Sequence, residues 1–210
     1  MTPPLLYLHG LASSPKGRKR TLLADRFLGE GIDVVAPDLN VPSFSLLDFE
    51  AMVEAARMAV RREAPRVVVG SSLGALVALA VARGLGPAGP ALVLLAPAVG
   101  FGERWKTKLP EGDPISMFHH GEGRDLPIHR AFFERMAGVD VDREPPPVPV
   151  SVVMGMEDES VPFAQVEASW SDWGASGKLV PGSRFHALDG GDHSLLDFGD
   201  DIESAVRERF

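Results

Sequence analysis

Residues 67–74 read Val-Val-Val-Gly-Ser-Ser-Leu-Gly, three β-branched residues running into a Gly-x-Ser-x-Gly motif. The next eight residues, Ala-Leu-Val-Ala-Leu-Ala-Val-Ala, form an apolar run of helical length. A strand, a sharp turn and a buried helix are the setting in which this motif forms a nucleophile elbow. Gly70 and Gly74 lack a Cβ, so the strand and the helix can approach closely on either side of Ser72. The helix N-terminus would direct its N–H groups at an oxyanion on a substrate.

Composition narrows the class of protein. The chain has 210 residues, of which 45% are hydrophobic and 24% charged, as expected for one soluble globular domain. The formal net charge of −8 argues against nucleic acid or an anionic membrane surface as the main partner. Because the chain has no cysteine, disulfides, a thiol nucleophile and cysteine-ligated zinc are excluded.

The sequence also shows no targeting or membrane-spanning signal. Its N-terminal apolar run is too short for a signal peptide and follows no basic segment. No stretch approaches the ~20 apolar residues of a membrane span. We therefore expect a cytoplasmic location, with neither a membrane nor nucleic acid as a partner.

Strand and helix patterns alternate along most of the chain. Short apolar runs predict six strands, at residues 5–8, 32–36, 67–69, 91–96, 150–154 and 183–188. Helical spacing predicts helices at 18–28, 46–63, 163–173 and 195–210, in addition to the helix after Ser72. Strands that are apolar on both faces belong in a parallel sheet covered by helices. We expect one α/β domain over residues 1–210, with a mostly parallel sheet of about six strands and helices on both faces.

The alternation stops between Pro97 and Pro149. No clear strand is apparent there, and one helix is predicted over 127–137. A long insertion in a compact α/β domain is often a lid, so 97–149 is predicted to be a cap or lid within the single domain. Its aromatic side chains could line an acyl site beneath the lid, or could pack the insertion onto the body. The pocket candidates are Phe101, Trp105, Phe118 and Phe132.

A serine nucleophile needs a general base, and the base needs an acid that orients it. With a nucleophile elbow the chain order is Ser, acid, His. His193 follows the last predicted strand, and Asp158 follows the strand before it. Loops at the carboxyl ends of parallel strands share one sheet edge, so these side chains can meet there. We predict a catalytic triad of Ser72, Asp158 and His193.

Other acids and histidines are less suitable. Glu157 and Glu159 flank Asp158, so this segment could instead be an exposed acidic turn with no catalytic role. Asp189 and Asp192 are so close to His193 in sequence that we expect them to shape its loop. The remaining histidines precede Ser72, or lie in the insertion or within a strand.

An oxyanion hole requires two N–H donors. The residue after the nucleophile, Leu73, would supply one of them. The loop after the first strand, His9-Gly10-Leu11, would supply the other from the Leu11 N–H, with His9 bracing the loop.

These segments resemble those of the α/β-hydrolase superfamily and, more narrowly, of small YqiA-like esterases. The residues that carry the resemblance are Leu6-Tyr7-Leu8-His9-Gly10 with Ser13-Ser14-Pro15, Gly70-Ser71-Ser72-Leu73-Gly74, Pro97-Ala98-Val99, the turn at Asp158, and Gly190-Gly191-Asp192-His193. Leu11 stands where an aromatic residue is expected and Ala75 where glycine is frequent, and 97–149 matches poorly after its first residues. The resemblance implies hydrolysis of carboxylic esters or thioesters of modest acyl length.

Other functions remain open at this point. A similar triad could act on amide or C–C bonds, and a non-catalytic receptor could keep the pocket of the same fold. The receptor would need none of the three triad residues. We take a small-molecule ester or thioester as the expected partner, and the sequence indicates no oligomeric state.

A metal or cofactor site has weaker support. The insertion holds a dense polar group that fits no metal-ligand motif: His119, His120, Glu122, Asp125 and His129. The loop after the first strand lacks Gly-x-Gly-x-x-Gly, and no glycine loop ends in Gly-Lys-Ser/Thr. We therefore expect neither a metal nor a cofactor.

Overall fold

Eight strands are present in the computed structural model, which describes residues 2–210. In chain order they are β1 (Leu5–Leu8), β2 (Val34–Val35), β3 (Val67–Ser71), β4 (Ala91–Leu95), β5 (Ile115–His119), β6 (Arg124–Ile128), β7 (Val150–Gly155) and β8 (Arg184–Leu188).

The helices lie between and after these strands. They are α1 (Arg18–Phe27), α2 (Phe49–Glu63), α3 (Leu73–Leu85), α4 (Phe101–Lys106), α5 (Arg130–Met136), α6 (Phe163–Ala175) and α7 (Gly199–Arg207). Short 3₁₀ helices are formed by Leu28–Glu30, Gly86–Ala88 and Leu196–Phe198.

Six strands form one parallel sheet in the order β2-β1-β3-β4-β7-β8. Every residue of β1, β3 and β7 is buried, because helices cover both faces of the sheet. Helix α1 contacts α7, and α2 contacts α3. The prediction of a six-stranded parallel sheet between helices is confirmed. The register pairs Ser71 with Leu95 and Gly155 with Leu188, so the carboxyl ends of β3, β4, β7 and β8 meet at one edge.

The prediction that no strand occurs between Pro97 and Pro149 is wrong. Strands β5 and β6 form an antiparallel hairpin there, in which Ile115 pairs with Ile128 and His119 with Arg124. Most residues of both strands are at least partly exposed, so the hairpin lacks the apolar alternation by which a half-buried strand is recognised. The helix predicted over 127–137 begins only at Arg130, because the preceding residues pair in the hairpin.

Two other helices begin later than predicted, each for a local reason. Helix α2 starts at Phe49 because the Asp48 side chain caps it, accepting a hydrogen bond from the Ala51 N–H at 3.0 Å. The C-terminal helix α7 starts at Gly199, after a turn in which Leu195 has a φ of 52°. Neither change moves the residues predicted to form the site.

Across residues 2–210, none of the helices is both long enough and apolar enough to cross a membrane.

Candidate active site

Ser72 occupies the turn between β3 and α3 in a strained backbone conformation. Its φ is 54°, in the left-handed region that a residue with a side chain rarely adopts. The turn is held by the Ser72 N–H, which donates to the Leu95 carbonyl at 2.9 Å, and by the Ser72 carbonyl, which accepts from Ala98 at 3.2 Å. The main chain of this serine is therefore fixed to the end of the neighbouring strand β4.

Both glycines of the motif are required by close backbone packing. A Cβ at Gly74 would lie 2.1 Å from the carbonyl oxygen of Leu8, and one at Gly70 would lie 2.7 Å from the Cα of Ala75. Real side chains do not tolerate such distances. The glycines thus let α3 begin directly against β1 and β3, which sets the direction of the Ser72 side chain.

The loop after β1 lies against Ser72. A Cβ added to Gly10 would be 3.1 Å from the Ser72 Cβ and 3.7 Å from its Oγ. The next residue, Leu11, is half-buried in this loop. On the other side, Leu73 is the first residue of α3, so its N–H has no intrahelical acceptor. The two predicted oxyanion donors thus belong to segments that flank the serine.

His9 braces this loop, as the sequence predicts. Its ring is buried, and Nε2 accepts a hydrogen bond from the Leu39 N–H at 3.0 Å. We therefore assign the ring proton to Nδ1, which donates to the Gly10 carbonyl at 3.0 Å. The His9 ring thus connects the loop to the segment after β2.

The side chains of Ser72, His193 and Asp158 form one hydrogen-bonded series. The His193 Nε2 lies 3.1 Å from the Ser72 Oγ, and its Nδ1 lies 2.7 Å from the Asp158 Oδ2. With the ring proton on Nδ1, the histidine donates to the carboxylate and leaves Nε2 free to accept the serine proton. Residues separated by up to 121 positions in the chain thus meet at one sheet edge.

The side chain of Asp158 is held in position by its own turn. Its side chain is fully buried, and Oδ1 accepts hydrogen bonds from the Ser160 and Val161 N–H groups, both at 2.8 Å. These donors use one carboxylate oxygen and leave Oδ2 for the histidine. Burial together with main-chain donors fixes the position of the acid before any ligand binds.

The two loops that carry the acid and the histidine are packed together through glycine. A Cβ at Gly155 would lie 2.2 Å from the Gly191 carbonyl oxygen. The Met156 N–H donates to Leu188 and the Glu157 N–H donates to Gly191, both at 2.9 Å. These main-chain bonds align the ends of β7 and β8, so that Asp158 and His193 face each other.

The alternative acids have other positions. Asp192 caps its own loop, where Oδ1 accepts from the Ser194 and Leu195 N–H groups at 2.9 and 3.0 Å. The hydroxyl of Ser194 also donates to it, which lowers the pKa of the Asp192 carboxyl. Asp189 is exposed, as are the neighbours of Asp158 at positions 157 and 159. Asp192 therefore shapes the histidine loop, as predicted, and Asp158 alone among them contacts the imidazole.

Lys19 is a part of the site that the sequence analysis missed. Its ammonium donates to the Ser71 hydroxyl at 2.9 Å and to the His193 carbonyl at 3.1 Å. The spacing of the sequence contained a signal, because Lys19 precedes the apolar residues Leu23 and Phe27 by four and eight positions in a predicted helix. Both of those residues are fully buried, so Lys19 lies on the inner face of α1. A charged residue at such a position is unusual.

Comparison with known families assigns the chain to one of them. The profile of an uncharacterised protein family, UPF0227, matches residues 4–207. The chain belongs to the UPF0227 family. Among curated proteins, this UPF0227 chain has no significant match.

Solved structures share the fold of this UPF0227 chain at low sequence identity. Est1E from Butyrivibrio proteoclasticus, solved with ferulic acid bound, is 17% identical with a TM-score of 0.76, covering 99% of this chain and 90% of Est1E. The esterase domain of a Rhodothermus marinus protein is 21% identical with a TM-score of 0.67, covering 100% and 85%. Mouse alpha/beta hydrolase domain-containing protein 10 is 21% identical with a TM-score of 0.65, covering 98% and 91%. The likeness confirms the α/β-hydrolase fold.

The aromatic pocket candidates of this UPF0227 chain do not share one surface. Phe101 and Phe132 are buried, with ring centroids 6.0 Å apart, and Trp105 joins the same cluster 5.8 Å from Phe101. Phe118 lies on the hairpin, where the residue is 50% exposed and its ring contacts His120. The cluster therefore packs the insertion internally, and a role for any of the four in acyl binding stays a prediction.

The hairpin of the insertion is docked on the loop after β1. The His120 N–H donates to the Ala12 carbonyl at 2.7 Å, and a Cβ at Gly121 would lie 2.7 Å from Ser14. The insertion thus contacts the segment that continues from Gly10 and Leu11. Whether 97–149 opens and closes as a lid stays a prediction.

The polar residues of the insertion take part in separate contacts. The His119 ring is buried against Phe44, with centroids 4.7 Å apart, and accepts a hydrogen bond from the Glu122 N–H. His129 pairs with Asp113 at 3.0 Å. Within the described part of the chain, no three His, Asp or Glu side chains are grouped so that they could hold a metal ion.

Proposed function

We propose that this chain is a serine hydrolase that cleaves carboxylic esters or thioesters through an acyl-enzyme. The observation that carries the proposal is the hydrogen-bonded series from the Ser72 Oγ through the His193 ring to Asp158, at 3.1 and 2.7 Å. One of the solved structures with the same fold is an esterase domain by name, and another, Est1E, was solved with ferulic acid bound, which supports the choice of an ester bond.

In the first half of the reaction, Ser72 attacks the carbonyl carbon of the substrate. His193 takes the hydroxyl proton on Nε2 as the Oγ–C bond forms, and Asp158 stabilises the imidazolium. The negative charge on the carbonyl oxygen is met by the N–H groups of Leu11 and Leu73, and each such donor is worth roughly 3 kcal/mol in the transition state.

The acyl-enzyme then forms and breaks down with the same groups. His193 returns its proton to the departing alcohol or thiol as the tetrahedral intermediate collapses, which leaves the acyl group on Ser72. A water molecule that gives its proton to His193 attacks the ester carbonyl. Collapse of the second intermediate releases the carboxylic acid and restores the Ser72 hydroxyl.

The first experiment measures hydrolysis of p-nitrophenyl esters from acetyl to palmitoyl by the wild type and by Ser72→Ala. Ser171→Ala serves as the matched control, because Ser171 is an exposed residue of helix α6 whose hydroxyl donates to the Glu167 carbonyl within that helix. We expect turnover by the wild type and the control and loss of nearly all turnover in Ser72→Ala, with unchanged thermal unfolding. The dependence on acyl length would give the size of the site.

Further measurements separate the alternatives. If no ester is turned over, acyl thioesters and amides are tested next, together with covalent labelling by a serine-directed phosphonate. Equal turnover by Ser72→Ala and the wild type would falsify the proposal. Failure of every substrate, combined with no labelling at Ser72, would favour a non-catalytic receptor.

A further inference from the structure

The side chain of Lys19 joins three separate segments of the site. From α1 it donates to the Ser71 hydroxyl at the end of β3 and to the His193 carbonyl in the loop after β8. Ser71 directly precedes the nucleophile, and His193 carries the imidazole. A single ammonium group therefore bridges the strand that positions Ser72 and the loop that positions the base.

The charge of Lys19 has no close counter-ion. Within residues 2–210 no carboxylate lies within 4.0 Å of it, and both of its hydrogen-bond acceptors are neutral. Burial lowers the pKa of Lys19 to about 8, although Asp158 and Asp192 attract the charge from further away. An apolar residue on the inner face of α1 would avoid this loss of hydration, so packing alone does not account for a lysine here.

The groups that face this ammonium come from several elements. Asp158 lies after β7, Asp192 lies after β8, and Arg18 on the same helix opposes the positive charge. From β1, the Tyr7 phenol lies beside Ser71, and burial raises the pKa of this phenol, so it is uncharged in the physiological range. The Lys19 ammonium is therefore a positive charge beside the main chain of His193.

We propose that Lys19 is a positioning residue for the general base, which fixes the main chain of His193 relative to Ser72. The inference rests on the proposed serine hydrolase function. The hydrogen bond to the His193 carbonyl maintains the short contact between Nε2 and Oγ.

Three substitutions separate the hydrogen bond from the charge. Lys19→Met removes both, Lys19→Gln removes the charge but keeps an N–H donor, and Lys19→Arg keeps the charge with a different donor geometry. Lys16→Met is the matched control, because Lys16 is an exposed lysine shortly before α1. Thermal unfolding of every variant identifies any that fails to fold, and Lys19→Arg and Lys19→Gln provide the test if Lys19→Met does.

For Lys19→Met we expect kcat to fall by about tenfold or more, with KM changed by less than about twofold, because the base is misplaced and substrate binding is not. Lys19→Gln, which keeps an N–H donor for the His193 carbonyl, should show a smaller loss of kcat. Lys19→Arg should likewise keep more activity than Lys19→Met, and Lys16→Met should match the wild type throughout.

The outcomes distinguish the two proposals. If the wild type hydrolyses esters and Lys19→Met keeps its kcat, the role of Lys19 is rejected and the hydrolase stands. A loss of kcat in Lys19→Met that is accompanied by an equal rise in KM, or that Lys19→Gln does not relieve, would reject the positioning role. If the wild type has no turnover, the NMR signals of the His193 imidazole in wild type and Lys19→Met still test the position of the ring, and identical signals reject the inference.

Discussion

The carboxyl edge of the sheet and the insertion at 97–149 differ in how their residues are held. At the sheet edge, main-chain hydrogen bonds and glycine contacts fix each loop, as in the contact of Gly155 with Gly191. In the insertion, an aromatic cluster and a largely exposed hairpin are joined to the body by contacts such as that of His120 with Ala12. In a parallel sheet, the order of the strands already places the loops at their carboxyl ends close together. In an insertion, the positions of the side chains depend on how the insertion itself packs.

The strongest test of the sheet edge is Asp158→Asn. We expect kcat/KM for p-nitrophenyl acetate to fall by about a thousandfold or more, because an amide cannot stabilise the imidazolium and favours the wrong tautomer of His193. Glu159→Gln, an exposed neighbour, is the control and should keep wild-type activity. A large loss in Glu159→Gln with little effect of Asp158→Asn would transfer the role of the acid to the neighbouring carboxylate.

The strongest test of the insertion is Phe132→Ala. Phe132 is 2% exposed within the aromatic cluster, so its truncation should lower the free energy of unfolding by about 3–5 kcal/mol. For a chain of this size, the Tm should fall by roughly 10 °C. Thermal and urea unfolding measure the effect. Unchanged stability with a raised KM for long acyl esters would instead place Phe132 in the lining of an acyl site.

A smaller effect, confined to activity, is expected from Gly10→Ala. The added Cβ would lie 3.1 Å from the Ser72 Cβ and 3.2 Å from the Ser71 carbonyl oxygen, so the loop must shift away from the serine by a few tenths of an ångström. We expect kcat to fall by about tenfold, because the oxyanion donor moves with the loop. In Gly29→Ala the added Cβ meets nothing within 4 Å, so that variant should be fully active. Equal activity of the two variants would remove the support for the loop as an oxyanion donor.

The smallest effect is expected from Phe118→Ala, which tests whether the exposed part of the hairpin contacts substrate. The residue is 50% exposed, so unfolding free energy should change by less than about 0.5 kcal/mol. If Phe118 contacts the acyl chain, KM for octanoyl esters should rise a few-fold while that for acetyl esters stays constant. Leu28→Ala, at a residue 75% exposed beyond α1, is the control. No change in KM at any chain length would leave the hairpin without a binding role.

Sequence reasoning located the parallel sheet because its strands are short runs of apolar residues between helices. The same reasoning missed β5 and β6, whose residues include His119, Arg124 and Asp125 and follow no apolar period. Main-chain pairing and docking on the loop after β1 stabilise this hairpin, and neither leaves a signal in local hydropathy. The aromatic residues beside the hairpin were recognised as candidates for lining an acyl site or for packing the insertion onto the body. Both roles require apolar side chains, so the sequence did not distinguish between them.

The identity of the acid beside His193 also depends on contacts that the sequence does not show. Asp158 and Asp192 both follow strands at the sheet edge, and in the structure their hydrogen bonds distinguish them. The Asp192 carboxylate accepts from Ser194 and Leu195, whereas Asp158 keeps one oxygen for the imidazole. Chain order favoured Asp158, and the contacts of each carboxylate give the physical reason.

The sequence by itself determined the elbow at Ser72, the alternation that builds the sheet, and the order in which the nucleophile, acid and base follow one another. These features depend on local chemistry: β-branched runs, glycines that permit close approach, and loops that follow strands. Only the tertiary structure decided that Lys19 reaches Ser71 and His193, and that the insertion contains a hairpin. The contacts of Lys19 join residues far apart in the chain. The hairpin depends on main-chain pairing and on docking against the loop after β1, neither of which follows a pattern of apolar residues.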